Sequence, residues 1–408
     1  MNLFNVISPE DVIKILQDNA DVKLNSEKIS LLECYGRILY EDIISDINLP
    51  EFKKSTVDGY AVRSKDVFGA SETSPSMLDL SGEVSMGVAP EHVISFPGEC
   101  MYVPTGGMLP NGTDGVVMIE NTDKLDDVTI LCNKPVAPGE NVVQEGEDIS
   151  KGEVVLKKGI KLRPYEAGVL AGIGCLDVNV IKKPRVGIIS TGDEIVSPDK
   201  EPLPGQVRDI NTYLLNSMVM ESGGEPIVYG FVKDDFDSLK GIFGKALEEC
   251  DLVLISGGSS VGKKDETLNV INSFPDSMML VHGISIKPGK PTIIGKVSNK
   301  VIFGLPGHPL ACAVVFKAFV DSYINILTGS TDVNYPIECE FEINYHKAKG
   351  REEYLPVTIE IVNGVKTAKP VFSKSGLITG FSKAFGYIKI DRNIEGLSAG
   401  QLVQVYKF

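Results

Sequence analysis

The chain has 408 residues, 43% of them hydrophobic and 23% charged, with a formal net charge of −15. That length exceeds one ordinary core and asks for about two to four domains. The negative balance argues against non-specific binding to nucleic acid, so an anionic ligand needs a locally basic pocket in an acidic protein.

The opening MNLFNVISPEDVIKIL has no basic n-region, h-region or small-residue cleavage site, so secretion is not expected. Residues 8–19 carry a helix start, with Ser8 as N-cap, Pro9 at the first position and an acidic first turn. LLECYGRILYEDI reads as a helical or extended stretch, and NLPEFKKS at 48–55 breaks the pattern. From Val57 to Lys134, short apolar runs between Gly, Pro, Asn and Asp clusters give a β-like texture. KGEVVLKKGIKL reads as a hairpin with Gly152 and Gly159 at its turns, followed by a helix with Pro164 near its start.

Beyond Lys182-Lys183-Pro184 the period changes. RVGIIS, PIVYGFV and DLVLIS alternate with helical INTYLLNSMVMES, DFDSLKGIFGKALEE and DETLNVINS, and LPGHP leads into LACAVVFKAFVDSYINIL. Such alternation implies βαβ units and a mainly parallel sheet. After Gly329 the pattern reverts to β, with ECEFEINYHKA, LPVTIEIV, FGYIKI and a closing AGQLVQVYKF, which fits a small barrel or sandwich. No apolar run reaches the roughly 18 residues of a membrane span, LACAVVF being cut by Lys317. Seven scattered cysteines without a CxxC pair read as reduced core thiols in a cytosolic protein, and four dispersed histidines argue against a His-rich metal site.

Chemistry gathers where apolar runs end. Ligands of open α/β sheets bind outside the carboxyl ends of the strands, where glycine lets backbone N–H groups approach an anion. DLVLISGGSSVGKKD, GISIKPGKP and VIFGLPGHP all read as buried strands opening into such loops. In SGGSSVGKKD (256–265), Gly257, Gly258 and Gly262 can expose N–H groups, Ser259 and Ser260 add hydroxyls, and Asp265 is placed as N-cap or metal ligand. It is not a Walker loop, since GxxxxGK[ST] is absent. In KPGKP (287–291), Pro288, Gly289 and the cationic Lys287 and Lys290 make a stiff frame, and Pro306, Gly307 and Pro309 do the same in LPGHP.

STGDEI (190–195) delivers Thr191, Gly192, Asp193 and Glu194 to the same edge; taken alone it reads as an N-cap and a solvated acidic turn. Asp234 and Asp235 follow another strand, as helix caps, as carboxylates beside an oxyanion cradle where Mg²⁺ bridges phosphate oxygens, or as both. His308 reads as a polar turn residue.

Taken in order, these segments resemble the molybdopterin molybdenumtransferase family (MoeA and the E domain of gephyrin), nearly end to end. STVDGYAVR (55–63) is similar to the family's S-x-x-DGYA signature, and VPTGGMLPNGTDGVVMIE (103–120) to its TGA-x-x-P-x-G-A-D-x-V-x-x-E segment. GEDI (146–149), STGDEI, SGGSSVGKKD, KPGKP and LPGHP follow at familiar spacing.

The resemblance implies a multidomain α/β plus β fold. Its parts are a segmented region (1–54 and 140–182), an inserted β domain (55–139), an α/β molybdopterin-binding domain (183–329) and a C-terminal β-barrel (330–408). It implies a cytoplasmic homodimer whose site combines one subunit's α/β domain with its partner's inserted domain. Molybdate and adenylylated molybdopterin are the implied substrates, with cleavage of the AMP–pterin phosphoanhydride by aid of Mg²⁺ and insertion of molybdenum at the dithiolene. Molybdopterin adenylyltransferase and molybdoenzyme chaperones are candidate protein partners; nucleic acid and membrane are not.

Carried over by position, Asp58, Thr105 and Asp148 match functional positions of the inserted and linking parts. Glu194, Asp234 and Asp265 match acidic positions for Mg²⁺ and pyrophosphate, with Thr191, Gly192, Gly257, Gly258 and Ser260 beside them. Lys287, Pro288, Gly289, Lys290, Pro306 and Gly307 match the oxyanion loops, and Arg351 in GREEY and Ser375 in KSG match barrel residues that hold molybdate.

The chain departs from the family at His308, where Asn is usual, at Ile210, where RDIN replaces a D-S-N pattern, and at Gly107, where Ala is common. None removes a charged group, so activity is expected to survive. Rival readings are the single-domain molybdopterin adenylyltransferases, a binding scaffold, and insertion of tungstate in place of molybdate.

Overall fold

The computed structural model describes residues 6–257, 266–372, 376 and 378–408. Its centre is a six-stranded sheet in the order Glu225–Val232, Arg185–Thr191, Leu252–Ser256, Lys300–Leu305, Ile293–Val297, Ser277–His282. The first three ladders are parallel and the last two antiparallel. Leu252–Ser256 is buried along its whole length, as a central strand covered on both faces must be. One face packs on helices Pro9–Asp18, Asn211–Glu221 and the long helix from Pro309, and the other on Phe236–Glu249 and Glu266–Asn272. Ser8 caps the first helix, accepting from Asp11 N–H at 3.2 Å.

The helix Pro309–Thr328 runs through a five-residue π segment, Phe316–Val320, and stops at Gly329 in the left-handed region. By length and mean hydropathy it could cross a membrane. Instead residues 309–316 are buried in the core, and Lys317, the charge that interrupts the apolar run, pairs with Asp321 one turn on at 3.3 Å.

Residues before and after the inserted sheet come together. Ser26–Ser30 pairs with Asp177–Ile181, Ile43–Ile44 with Val154–Leu156, and Lys54–Ser55 with Val142–Val143. A small core of Cys34, Leu39, Leu162, Leu170, Val178 and Val180 closes this region. KGEVVLKKGIKL is therefore not the hairpin its turns suggested: Gly152 and Gly159 do turn at positive φ, but the strand between them pairs with residues 43–44. LLECYGRILYEDI supplies one short 3-10 turn, Leu31–Glu33, and then extended chain.

The inserted region is a six-stranded sheet in the order Gly115–Met118, Gly59–Val62, Glu99–Val103, Ser76–Glu83, Thr129–Cys132, Thr122–Lys124. Gly59 is required there, because a Cβ would lie 2.0 Å from the carbonyl oxygen of Val117.

At the C-terminal end, strands Glu352–Val362, Val365–Pro370, Ile337–Phe341, Leu402–Lys407 and Gly386–Ile390 close into a barrel, the last pairing back onto the first. Closure removes the exposed edges that a small sheet otherwise leaves.

One expectation fails in an informative way. The GISI run does not join the central sheet; Ile286–Lys287 pairs in parallel with Glu352 and Glu353 of the barrel. KPGKP is thus shared between two domains.

Candidate functional site

The parallel strands Arg185–Thr191, Glu225–Val232, Leu252–Ser256 and Lys300–Leu305 all end on one edge, so their following loops meet there. Gly257 N–H donates to the carbonyl of Leu305 at 3.2 Å, and Gly192 N–H to that of Val232 at 3.3 Å. Gly257 has φ 107°, and a Cβ on it would sit 2.1 Å from the Thr191 carbonyl oxygen. Gly307 lies against Gly257 from the other side. Only a residue without a side chain lets three strand ends approach this closely.

Asn211, at the start of helix Asn211–Glu221, holds two of these loops at once. Its amide donates to the Ser256 hydroxyl at 2.6 Å and to the Gly307 carbonyl at 2.8 Å. Its own Oδ1 is buried without a hydrogen-bond partner among the described residues. Beside it, the hydroxyls of Ser190 and Thr212 are 2.8 Å apart. Pro309 occupies the first position of the helix after LPGHP, as its fixed φ favours, with His308 as N-cap.

The acidic side of the edge is built from separate loops. The Thr191 hydroxyl donates to Asp234 Oδ1 at 3.2 Å, and Asp234 N–H donates to Asp193 Oδ1 at 3.3 Å. Glu194 folds back so that its carboxylate lies over Gly192. Burial holds the Asp234 carboxyl above its ordinary value, and the charges of Asp193, Glu266 and Glu194 push it the same way, against the lowering bond from Thr191. Asp235, by contrast, caps the helix Phe236–Glu249, accepting from Asp237 N–H at 3.2 Å.

Among the described residues no three His, Cys, Asp or Glu side chains are grouped closely enough to hold a metal ion. Asp265, the third carboxylate expected beside Glu194 and Asp234, lies outside the described residues, as do Gly258, Ser260 and Ser375. The donors that are present suit a hard cation: they are carboxylate and hydroxyl oxygens under mutual repulsion, which Mg²⁺ would relieve.

KPGKP is anchored on both sides. Gly289 has φ 110°, and a Cβ there would meet Val315 Cγ2 at 2.5 Å, so the loop is wedged against the helix that follows LPGHP. Thr292 donates its hydroxyl to the Gly289 carbonyl at 2.7 Å, and the Lys290 carbonyl accepts from Ile284 N–H at 3.0 Å. Lys287 forms an ion pair with Glu353 of the barrel at 2.9 Å. Arg351, exposed in the turn preceding Glu353, is held by its carbonyl, which accepts from Lys347 Nζ at 2.8 Å. The Ser285 hydroxyl ties the same turn down through the Gly350 carbonyl at 2.7 Å.

In the inserted sheet, Asp58 and Thr105 meet directly. No hydrogen bond or ion pair among the described residues links this pair to the α/β edge or to Asp148, whose N–H donates to the Leu49 carbonyl. Sequence reading did not single out Asn211, Glu266 and Glu353, which the structure brings beside Ser256 and Gly307, Asp234 and Lys287 respectively. Asn211 sits in the RDIN segment already set apart by its wording, and Glu353 stands in the charged stretch Arg351-Glu352-Glu353 that opens its strand, where nothing in the sequence distinguishes it from Glu352.

Family models match three stretches: "MoeA N-terminal region (domain I and II)" over residues 7–174, "Probable molybdopterin binding domain" over 187–325, and "MoeA C-terminal region (domain IV)" over 339–408. The "Molybdopterin molybdenumtransferase" of Haemophilus influenzae is 32% identical over 387 residues, 94% of this chain and 94% of that protein. Its namesake from Staphylococcus aureus is 31% identical over 380 residues, 92% of this chain and 90% of that one. Among solved structures, a molybdopterin biosynthesis moeA protein from Pyrococcus horikoshii OT3 superposes with a TM-score of 0.87 at 32% identity, covering 99% of this chain and 100% of that one.

Proposed function

Because the chain belongs to the MoeA family of molybdenum cofactor biosynthesis, we propose that it is a molybdopterin molybdenumtransferase that inserts molybdate into adenylylated molybdopterin and releases AMP. The observation that carries this reading is the convergence of the 191–194, 234, 257 and 306–307 segments on one sheet edge, with glycine wherever backbones touch. The presence of all three family stretches on one chain speaks against a single-domain adenylyltransferase.

In this reading Glu194, Asp234 and Asp265 hold Mg²⁺. When bound, the cation neutralises charge on the phosphoanhydride oxygens. The residues of the chain then do three things. Thr191 keeps the Asp234 carboxylate aimed at the edge through its hydroxyl. The backbone at Gly192, Gly257, Gly258 and Gly307, with Ser260 and Pro306, cradles the pyrophosphate. Lys287 and Lys290, in the loop that carries Pro288 and Gly289, hold the molybdate oxyanion together with Arg351 and Ser375, by charge and hydrogen bonding.

Asp58 and Thr105, in the inserted domain, complete the site from the second subunit of a homodimer, as the family resemblance implies, and Asp148 contributes from the linking part. The enzyme acts in the cytoplasm, taking its substrate from a molybdopterin adenylyltransferase and passing its product to molybdoenzyme chaperones.

The test is reconstitution. Full-length protein given adenylylated molybdopterin, Mg²⁺ and molybdate should restore activity to a cofactor-free molybdoenzyme. Binding of the pterin without any restoration would instead support a scaffold, and restoration of a tungsten enzyme only, with tungstate, would reassign the metal.

A further inference from the structure

We propose that Glu353, on the C-terminal barrel, is a positioning residue that fixes the Lys287 ammonium at the KPGKP loop, so that the barrel tunes oxyanion binding by the α/β domain. This rests on the reading that KPGKP takes an oxyanion.

The argument begins with the backbone. Ile286 and Lys287 pair in parallel with Glu352 and Glu353, and Glu352 N–H donates to the Ser285 carbonyl at 2.9 Å. The loop and the barrel strand therefore move as one piece. On its other side the loop is wedged at Gly289 against Val315. Both ends of the Lys287–Glu353 pair thus stand on fixed backbone.

The side chains make the pair asymmetric. Glu353 is only 5% exposed, while the Lys287 side chain is 53% exposed. Glu353 Oε1 accepts from Lys287 Nζ at 2.9 Å and from the Tyr345 hydroxyl at 2.6 Å. Burial and the Glu353 charge both push the Tyr345 hydroxyl up, so the phenol remains a donor at any working pH. The other oxygen, Oε2, is buried without a hydrogen-bond partner among the described residues. A buried carboxylate served, among the described residues, by two donors leans on both.

The ammonium has three donors. Glu353 takes one and sets the direction of the rest, which a half-exposed stem leaves open to solvent and to a ligand. A lysine stem otherwise carries large rotamer freedom that a ligand would have to freeze out. Among the described residues, that restraint comes from the barrel carboxylate of Glu353.

The experiment separates position from charge. Glu353→Asp keeps the charge and shortens the arm by one methylene, and Glu353→Gln keeps the length and removes the charge. Molybdate binding to the full-length protein is followed by calorimetry in the wild type, in each variant, in Lys287→Met alone, and in each variant combined with Lys287→Met. Thermal melts confirm that every protein folds. Glu353→Asp is expected to weaken molybdate binding roughly ten-fold, the usual scale for loss of a partner that orients a ligand group, and to change nothing once Lys287 is already Met. Tyr345→Phe, which loosens the carboxylate without touching its charge, is expected to cause a smaller loss in the same direction, and it stands in if the Asp variant fails to fold. Unchanged affinity in Glu353→Asp, or the same penalty with and without Lys287, overturns the positioning role. Wild-type affinity in Lys287→Met alone overturns instead the reading of the loop as an oxyanion site.

Discussion

One carboxylate oxygen of Asp58 accepts two hydrogen bonds from a single residue, Thr105: from its N–H at 2.7 Å and from its hydroxyl at 3.1 Å. Both residues are exposed, and the turn after Thr105 is separately tied to strand Lys54–Ser55, with Gly106 N–H donating to the Ser55 carbonyl at 2.8 Å. An exposed pair this well ordered contributes little to the core.

Asp58→Asn should therefore leave stability within about 1 kcal/mol of the wild type while lowering molybdenum insertion about ten-fold or more, equivalent to roughly 1.4 kcal/mol of transition-state stabilisation. Melting temperature and turnover, measured on the same preparation, check this. Full activity in the variant would leave the pair as a turn brace.

Asp234 titrates in the sense opposite to a paired carboxylate. Its folded value is raised above the ordinary 3.8, so folding favours the protonated form. Its contribution is fully present below 3.8 and is lost as pH rises through the folded value. Asp234→Asn should consequently melt at a higher temperature than the wild type at neutral pH, with the advantage fading below pH 3.8. Added Mg²⁺ should raise the melting temperature of the wild type and do so less for the variant. A variant that is less stable at neutral pH would show that the crowding of carboxylates has been misread.

Gly257 cannot be replaced. At φ 107°, with the Thr191 carbonyl oxygen 2.1 Å from any Cβ, Gly257→Ala must both strain its own backbone and push a neighbouring strand. The strain alone is worth about 1–3 kcal/mol, and denaturant melts should show at least that loss. Gly205→Ala, also at positive φ but with open space around it, should cost less.

Asn211→Ala removes the donor that joins the Ser256 hydroxyl to the Gly307 carbonyl. Taking that donor from the buried Ser256 hydroxyl costs roughly 1–3 kcal/mol. Because the two loops it binds both belong to the proposed site, substrate affinity should fall as well. Stability that falls with affinity intact would confine Asn211 to the core.

Much of the fold was legible because its determinants are local. Ser8 and Pro9 mark the first helix, Pro309 marks the long one, and the strand–helix alternation after Lys183 is a periodicity that needs no partner to be seen. What was hidden depends on non-local pairing. GISI has the composition of a buried strand whichever sheet receives it, and only the barrel's Glu352 and Glu353 decide the matter. The strand after Gly152 likewise finds its partner at Ile43–Ile44, more than a hundred residues away in sequence. Glu353 was invisible for a related reason: a carboxylate in the charged run Arg351-Glu352-Glu353 reads as a solvated residue until Lys287 and Tyr345 are seen to enclose it. The same contact changes the view of Lys287, which the sequence presents as an open cation and the structure binds to a buried partner.

The most direct measurement is AMP release from adenylylated molybdopterin by the purified full-length protein, followed with and without molybdate and Mg²⁺. Release that requires both, and that is lost in Asp234→Asn, is the expected result. AMP formation that ignores molybdate, or that persists undiminished when the carboxylates of the sheet edge are neutralised, would contradict the assignment of the chemistry to that edge.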